Sequence, residues 1–262
     1  MKVGKAIYNI LSQSTEVKSN FPLTDANYST GSELVKDGNF PNGDNWIVGS
    51  GWSIGGNKAI ASPATDYLYQ ADVYDATTVK TYRLTYTITV DSGRFSVFIS
   101  GKTGSTFFGD ETESGTYTHY FTTTGNSGEG RLYFSAIHAF DGSLTNVSVQ
   151  EFTLNKIFPE LAPPGVEVPY IVYSVVSNSP SDTKNANGDI DTANIEVYGF
   201  QDTYNKAVDL GVSIRAALDR KTGTYNTIKI QSTNYVNEQM DVNEARKLWA
   251  AIQDYSIRIK NI

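Results

Sequence analysis

The chain has 262 residues, 39% of them hydrophobic and 19% charged, with a formal net charge of −7; that is enough for one or two folded cores, and no apolar run approaches the ~20 residues of a helical membrane span. There is no cysteine, which excludes disulfides, thiolate metal sites and cysteine nucleophiles. The acidity is uneven: Glu33–Glu151 holds 7 Lys/Arg against 13 Asp/Glu, which argues against nucleic acid or an anionic membrane as that stretch's partner.

Val3, Ile7, Ile10 and Leu11 share one face of a short helix. This periodic start, with no small-residue cleavage site after it, does not read as a signal peptide, so synthesis in the cytoplasm is expected. Residues 22–32 have the Pro, Thr, Asn, Ser and Gly composition of a linker. From Glu33 the pattern changes to strands. Pro41-Asn42-Gly43-Asp44-Asn45 is a turn cluster. Over 80–90, Tyr82, Leu84, Tyr86, Ile88 and Val90 alternate with Arg83, Thr85, Thr87 and Thr89. Asp91-Ser92-Gly93 reads as a turn into a second strand carrying Phe95, Val97 and Ile99. Further strands are predicted over 115–123, 130–140 and 144–152. About eight short strands with Gly/Asp turns fit a sandwich or jelly roll over 33–153.

After residue 155 the chain alternates strand and helix. Ile157-Phe158-Pro159 is an apolar stub, and Ala162-Pro163-Pro164-Gly165 a rigid loop. Strands are predicted over 168–177 and 193–200, with a polar loop over 179–191 between them. Asp202 or Thr203 caps a helix running to about Arg220, with Ala207, Leu210, Gly211, Ile214, Ala217 and Leu218 on one stripe and Gly223 as its stop. Two more strands follow, over 224–236 and 248–260. The pattern predicts an α+β domain, an antiparallel sheet with flanking helices, made of residues 1–21 and 155–262. An all-β jelly-roll sandwich is inserted into it. Such an insertion needs its own ends close together, which pairing of 33–40 with 144–152 would supply.

Catalytic signatures are missing. No G-x-S-x-G, H-E-x-x-H, Walker loop or Gly-rich dinucleotide fingerprint occurs, and no nucleophile is paired with a base, so an enzyme is not expected. His119 and His138 fall in predicted strands without a second histidine at ligand spacing. Asp110, Glu111 and Glu113 read as a solvated loop. Asp182, Asp189 and Asp191 lack the spacing of an EF-hand loop. The aromatics of the central segment, Trp46, Trp52, Tyr67, Tyr69 and Tyr74, support two readings. They pack between the sheets, or they offer faces to sugar rings. Trp52, Tyr67 and Tyr69 are the candidate sugar-stacking residues.

Two resemblances follow from the residues. Val3-Gly4-Lys5-Ala6-Ile7-Tyr8, Ile157-Phe158-Pro159, Pro169-Tyr170-Ile171-Val172-Tyr173, Ile195-Glu196-Val197-Tyr198, Arg215-Ala216-Ala217-Leu218-Asp219 and Gln253-Asp254-Tyr255 occur in an order that resembles the tail-completion family of long-tailed bacteriophages. These are also described as tail terminator or head–tail joining proteins. The resemblance implies a structural virion protein of the tail or neck. Its subunits form a ring, hexameric by resemblance, that caps the tail tube protein and meets a head-completion or connector protein. The central segment resembles a carbohydrate-binding-module or galactose-binding-like jelly roll, on Glu33–Phe40, Gly51-Trp52-Ser53-Ile54, Tyr82-Arg83-Leu84, Arg131-Leu132-Tyr133-Phe134 and Gly142–Val149. Relatives use two acidic positions there to help hold a structural calcium. Here those positions are Pro41 and Thr145, so no cofactor is expected. The resemblance implies a decoration projecting from the ring or, alternatively, an adhesin module that binds surface glycans. Membrane and sequence-specific nucleic-acid partners are not expected.

Overall fold

The protein is described by a computed structural model covering residues 2–101, 104–123, 125, 129–180, 190–225 and 227–261. It is mostly β, with three helices among the described residues. In chain order the elements are α1 (Lys2–Gln13), α2 (Thr15–Lys18), β1 (Tyr28–Glu33), β2 (Ile47–Val48), β3 (Trp52–Gly55), β4 (Lys58–Ala64), β5 (Tyr67–Asp75), β6 (Thr81–Gly101), β7 (Gly104–Glu111), β8 (Gly115–Thr122) and β9 (Glu129–Leu154). They continue with β10 (Ile157–Pro159), β11 (Tyr170–Pro180), β12 (Ile190–Gln201), α3 (Tyr204–Leu218), β13 (Gly223–Tyr225), β14 (Ile228–Asn243) and β15 (Leu248–Asn261). Two compact units result: Met1–Tyr28 with Leu154–Ile262, and Ser29–Thr153.

The discontinuous unit is built on one six-stranded sheet in the order β10-β11-β12-β15-β14-β13. It is not wholly antiparallel, because β10 runs parallel to β11. Helix α3 lies on one face. Its predicted stripe, Ala207, Leu210, Gly211, Ile214, Ala217 and Leu218, is buried in full, and each large aliphatic there contributes about 1.5–3 kcal/mol. Gly199 of β12 and Gly211 of α3 allow a close approach: a Cβ on Gly211 would lie 2.9 Å from that of Ala251. Thr203 is the N-cap residue without a side-chain cap bond. The helix ends at Asp219, and the left-handed residue after it is Arg220 (φ 57°) rather than Gly223, which opens β13. Val3, Ile7, Ile10 and Leu11 of α1 are buried. A second helix follows where the apolar pattern fades, because Ser14 caps it by accepting a hydrogen bond from the Val17 N–H.

The Ser29–Thr153 unit holds a nine-stranded sheet, with β6 pairing β7, β8 and β9. Its core gathers Phe40, Trp46, Trp52, Tyr86, Phe95, Phe134 and Phe140. Two corrections to the sequence reading matter. Asp91-Ser92-Gly93 is not a hairpin turn; β6 runs through it as one strand, and 130–140 and 144–152 likewise merge into β9. Ser92 faces Asp141, with register shifts on both sides. Gly93 (φ +77°) and Gly142 (φ +152°) occupy these facing irregularities. The irregularities bend both long strands together, as β-bulges do. Part of the predicted linker is strand β1, paired to β9. Beyond it, Leu34 N–H donates to Val149 O at 2.9 Å, and Val147 N–H to Gly38 O at 2.9 Å. The unit's first and last segments therefore run side by side. In the other unit, Asn155 N–H donates to Asn27 O at 2.9 Å, so there too the chain leaves and returns at one place.

Candidate interaction surfaces

In the Ser29–Thr153 unit the buried indoles come first. Trp52 is 7% exposed. Its Nε1–H donates to Asp66 O at 3.0 Å, and its ring lies 6.5 Å from Phe95 and 6.1 Å from Phe140. Trp46 is 6% exposed and donates to Asp37 O. Both indoles are core residues, and Trp52 presents no face to a ligand.

Tyr67 and Tyr69 stand elsewhere. They alternate along β5 with the buried Leu68 and Gln70, so they project from the opposite face. Register then brings in partners that sequence reading missed. Tyr69 faces Tyr133 on β9, Tyr133 faces Phe98 on β6, and Phe98 faces Phe107 on β7. Tyr69 and Tyr133 stack at 5.0 Å, and Tyr133 and Phe98 at 5.6 Å. Tyr67 meets Phe98 and Tyr133 edge-on at 5.6 and 5.9 Å. Tyr133 thus gives both faces to its neighbours in the ladder. Ile47 and Phe107, 50% and 58% exposed, extend this aromatic ladder at its two ends. Beside it, Ser96 binds Asp110, which pairs with Arg94 at 2.9 Å; the same guanidinium donates to Nδ1 of His138 at 2.9 Å. Asp110 and Glu111 are therefore strand residues with partners, not a solvated loop.

A second polar group closes the rim of this core. Tyr86 Oη lies 2.9 Å from His119 Nε2 and 3.3 Å from Glu111 Oε1, and His119 lies 3.5 Å from the same carboxylate. With Glu111 ionised, Tyr86 donates to it and His119 Nε2–H donates to the phenolic oxygen. Burial, reinforced by Glu111, pushes the Tyr86 phenol far above its ordinary pKa. Burial pushes the imidazole below its own, against the opposing pull of Glu111. The phenol stays protonated and the imidazole neutral, and the Phe108 ring stacks on the imidazole at 4.9 Å. This is hydrogen-bonded packing. Among the described residues no group of three or more His, Asp or Glu is arranged to hold a metal. Thr145 Oγ1 donates to Asn57 O at 3.2 Å.

In the other unit the sheet face opposite α3 carries Tyr170, Val172, Tyr198 and Phe200. Tyr170 and Phe200 stack at 4.6 Å. With Leu161, Pro163, Pro164 and Arg246 they line a groove of about 390 Å³. Tyr198 donates to Glu196 at 2.6 Å. Asp182 and Asp189 lie outside the described residues. Asp191 is in β12 and lies 3.3 Å from the Asn178 amide.

Residues 143–260, from the second half of β9 through β15, match the protein family described as tail completion protein gp17. The chain carries a tail-completion domain. That family is one of structural phage virion proteins. No curated protein sequence matches the chain. Among solved structures it is similar to one of the virion of a native gene transfer agent particle, at 9% identity, 41% of this chain, 80% of that chain and a TM-score of 0.34. It is also similar to the CBM22-1 xylan-binding domain of a Paenibacillus barcinonensis protein, at 9% identity, 47% of this chain, 96% of that chain and a TM-score of 0.37. A CBM4 structure is similar at 18% identity, 49% of this chain, 99% of that chain and a TM-score of 0.33. None of these likenesses extends to function.

Proposed function

We propose that this tail-completion protein is the terminator of its phage tail: a homo-oligomeric ring that caps the last layer of tail tube protein, stops its polymerisation and offers a new surface to the head-completion or connector protein. The observation that carries the reading is the family match over 143–260, together with the helix that completes the same unit from far upstream. Gly4 of α1 lies against the Tyr173 ring of β11, where a Cβ would come within 3.2 Å of it. On this reading α1 is the first element of the domain, and Ser29–Thr153 is a decoration inserted after it. By family resemblance the ring has six subunits. The mechanism is assembly control without bond chemistry. Electron microscopy of negatively stained protein, alone and mixed with its own tail tubes, tests the reading. Caps at one end of each tube support it, and tubes left bare and still elongating contradict it.

A second reading rests on the aromatic ladder: the inserted unit recognises surface glycans during attachment. The solvent-facing parts of Tyr67, Tyr69 and Phe98 would pack on sugar rings, with Ile47 and Phe107 at the two ends of the ladder. Tyr69→Ala and Phe98→Ala should each weaken binding of the whole protein to a polysaccharide at least tenfold. A broad glycan panel that shows no binding by the unmodified protein would remove this reading and leave the unit as decoration.

A further inference from the structure

We infer that copies of this chain join edge to edge through their six-stranded sheets, residues 237–239 of β14 in one copy pairing antiparallel with residues 177–179 of β11 in the next. The inference deepens the ring reading above and rests on it.

Both ends of the sheet are open in part. On its outer side β14 is covered only near its start: β13 pairs with residues 228–230, Arg220 N–H donates to Thr233 O, and Asp219 accepts from Tyr235 N–H. Beyond Tyr235 no described strand lies along it. That stretch, Val236-Asn237-Glu238-Gln239-Met240-Asp241-Val242-Asn243, contains no Lys, Arg or Pro, the residues with which edge strands are ordinarily blunted. Val236 is 62% exposed. At the other end, β10 covers Ile171–Tyr173 of β11, and Glu160 accepts from Val175 N–H. Residues 176–179 have no described strand on that side, and Val176 is 59% exposed; Pro180, which has no N–H, ends the open stretch.

Strand direction favours joining these two edges. β11, β12, β15 and β14 alternate strictly, so the two outer strands are antiparallel to each other. Rotating the unit about an axis along the strands brings β11 of one copy antiparallel to β14 of the next, and the alternation continues across the junction. Charge disfavours the alternative of β14 pairing with itself. Centred on its open stretch, that pairing sets Glu238 opposite Asp241 twice, a like-charge contact. The β11 stretch Val176-Ser177-Asn178-Ser179 is uncharged. A β14–β11 contact is heterologous, and a heterologous contact is what a ring of more than two subunits requires.

Closure is geometrically reasonable. Asn178 faces Ala193, which faces Ile257, which faces Thr233, whereas Glu238 faces Gln253. Pairing Asn178 with Glu238 of the neighbour therefore staggers successive copies by four residues along the strands, an even number that keeps both side chains on one face, or ~14 Å at ~3.4 Å per residue. Each copy contributes four strands across, ~19 Å at ~4.8 Å per strand. These lengths incline the strands by about 35° to the ring axis, within the ~35–45° of closed β-barrels.

The absence of cysteine makes the test clean. Double variants combine Asn178→Cys with Glu238→Cys, or Ser179→Cys with Asn237→Cys, all exposed positions. Within one chain the two edges are three strand spacings apart, ~14 Å, too far for a disulfide, which needs Cα atoms within ~7 Å. Each double variant and its single variants are oxidised in the full-length protein, alone and with tail tubes, then run without reductant and imaged. The expected result is a ladder of covalent species above the dimer in a double variant and no species above the dimer in either single. Rings or tube caps without a ladder from any combination would overturn the edge pairing and leave the terminator reading standing. Neither rings nor a ladder, with or without tubes, would overturn both.

Discussion

At the residue scale, one buried and one half-buried polar group stand out in the Ser29–Thr153 unit. Gln70 is 3% exposed. Its amide takes the place of a strand partner, accepting from Lys36 N–H at 2.9 Å and donating to Lys36 O at 2.8 Å. Gln70→Leu keeps the volume and orphans both backbone groups, so it should destabilise the unit by about 1–3 kcal/mol. Urea unfolding followed by fluorescence measures this in a Trp249→Phe background, where the remaining tryptophans, Trp46 and Trp52, both report on that unit. His119 gives a second prediction. Its pKa in the folded protein is held below the ordinary ~6.5 by burial, so folding favours the neutral ring. The unfolded chain takes up the proton first as pH falls. The stabilising contribution is therefore complete above ~6.5 and is lost as pH drops through the folded value. Thermal melts of wild type should fall more steeply between pH 7 and pH 5 than those of His119→Gln, and parallel curves would remove the assignment. Neither group was legible in the sequence. Gln70 sits in an ordinary alternating strand, and the partners of His119 come from strands paired over long separations.

At the element scale, the legible parts were those set by local period. The stripe on α3 and the alternation of Tyr82 to Val90 each follow from spacing alone, because one helix face or strand face decides burial. The bend that shapes the inserted unit was not legible. A hairpin turn and a bulge draw on the same residues, Asp, Ser and a glycine with positive φ, and what separates them is whether a partner strand continues alongside. For Asp91–Gly93 that partner is Ala139–Gly142, nearly fifty residues on. A Cβ on Gly142 would lie 2.0 Å from Thr89 O, at a φ of +152° that side chains seldom adopt. Gly142→Ala should therefore cost about 3 kcal/mol or more, read by the same fluorescence titration. A loss below about 1 kcal/mol would mean that the bulge relaxes freely. The aromatic ladder escaped sequence reading for the same reason. Tyr67 and Tyr69 stood out within β5, but Tyr133 and Phe98 join them only through register.

At the scale of the whole molecule, an acidic, Thr- and Gly-rich stretch lies between two aliphatic segments, and the chain forms two compact units. The discontinuous unit was harder to place by class, since its short helices suggested an even balance with the sheet where the molecule is mostly β. The account makes the tail-completion activity a property of residues 1–28 and 154–262, with Ser29–Thr153 an addition to it. Asn27 and Asn155 are hydrogen-bonded neighbours at 2.9 Å, so Tyr28 can be rejoined to Leu154 through a short Gly-Ser bridge with little strain. The most direct measurement is tail-tube capping by this shortened protein, scored by microscopy after its cooperative melting has been checked. The account predicts a folded protein that caps tubes at the same single end as the full chain. A shortened protein that fails to fold, or that folds and leaves the tubes uncapped, would contradict it.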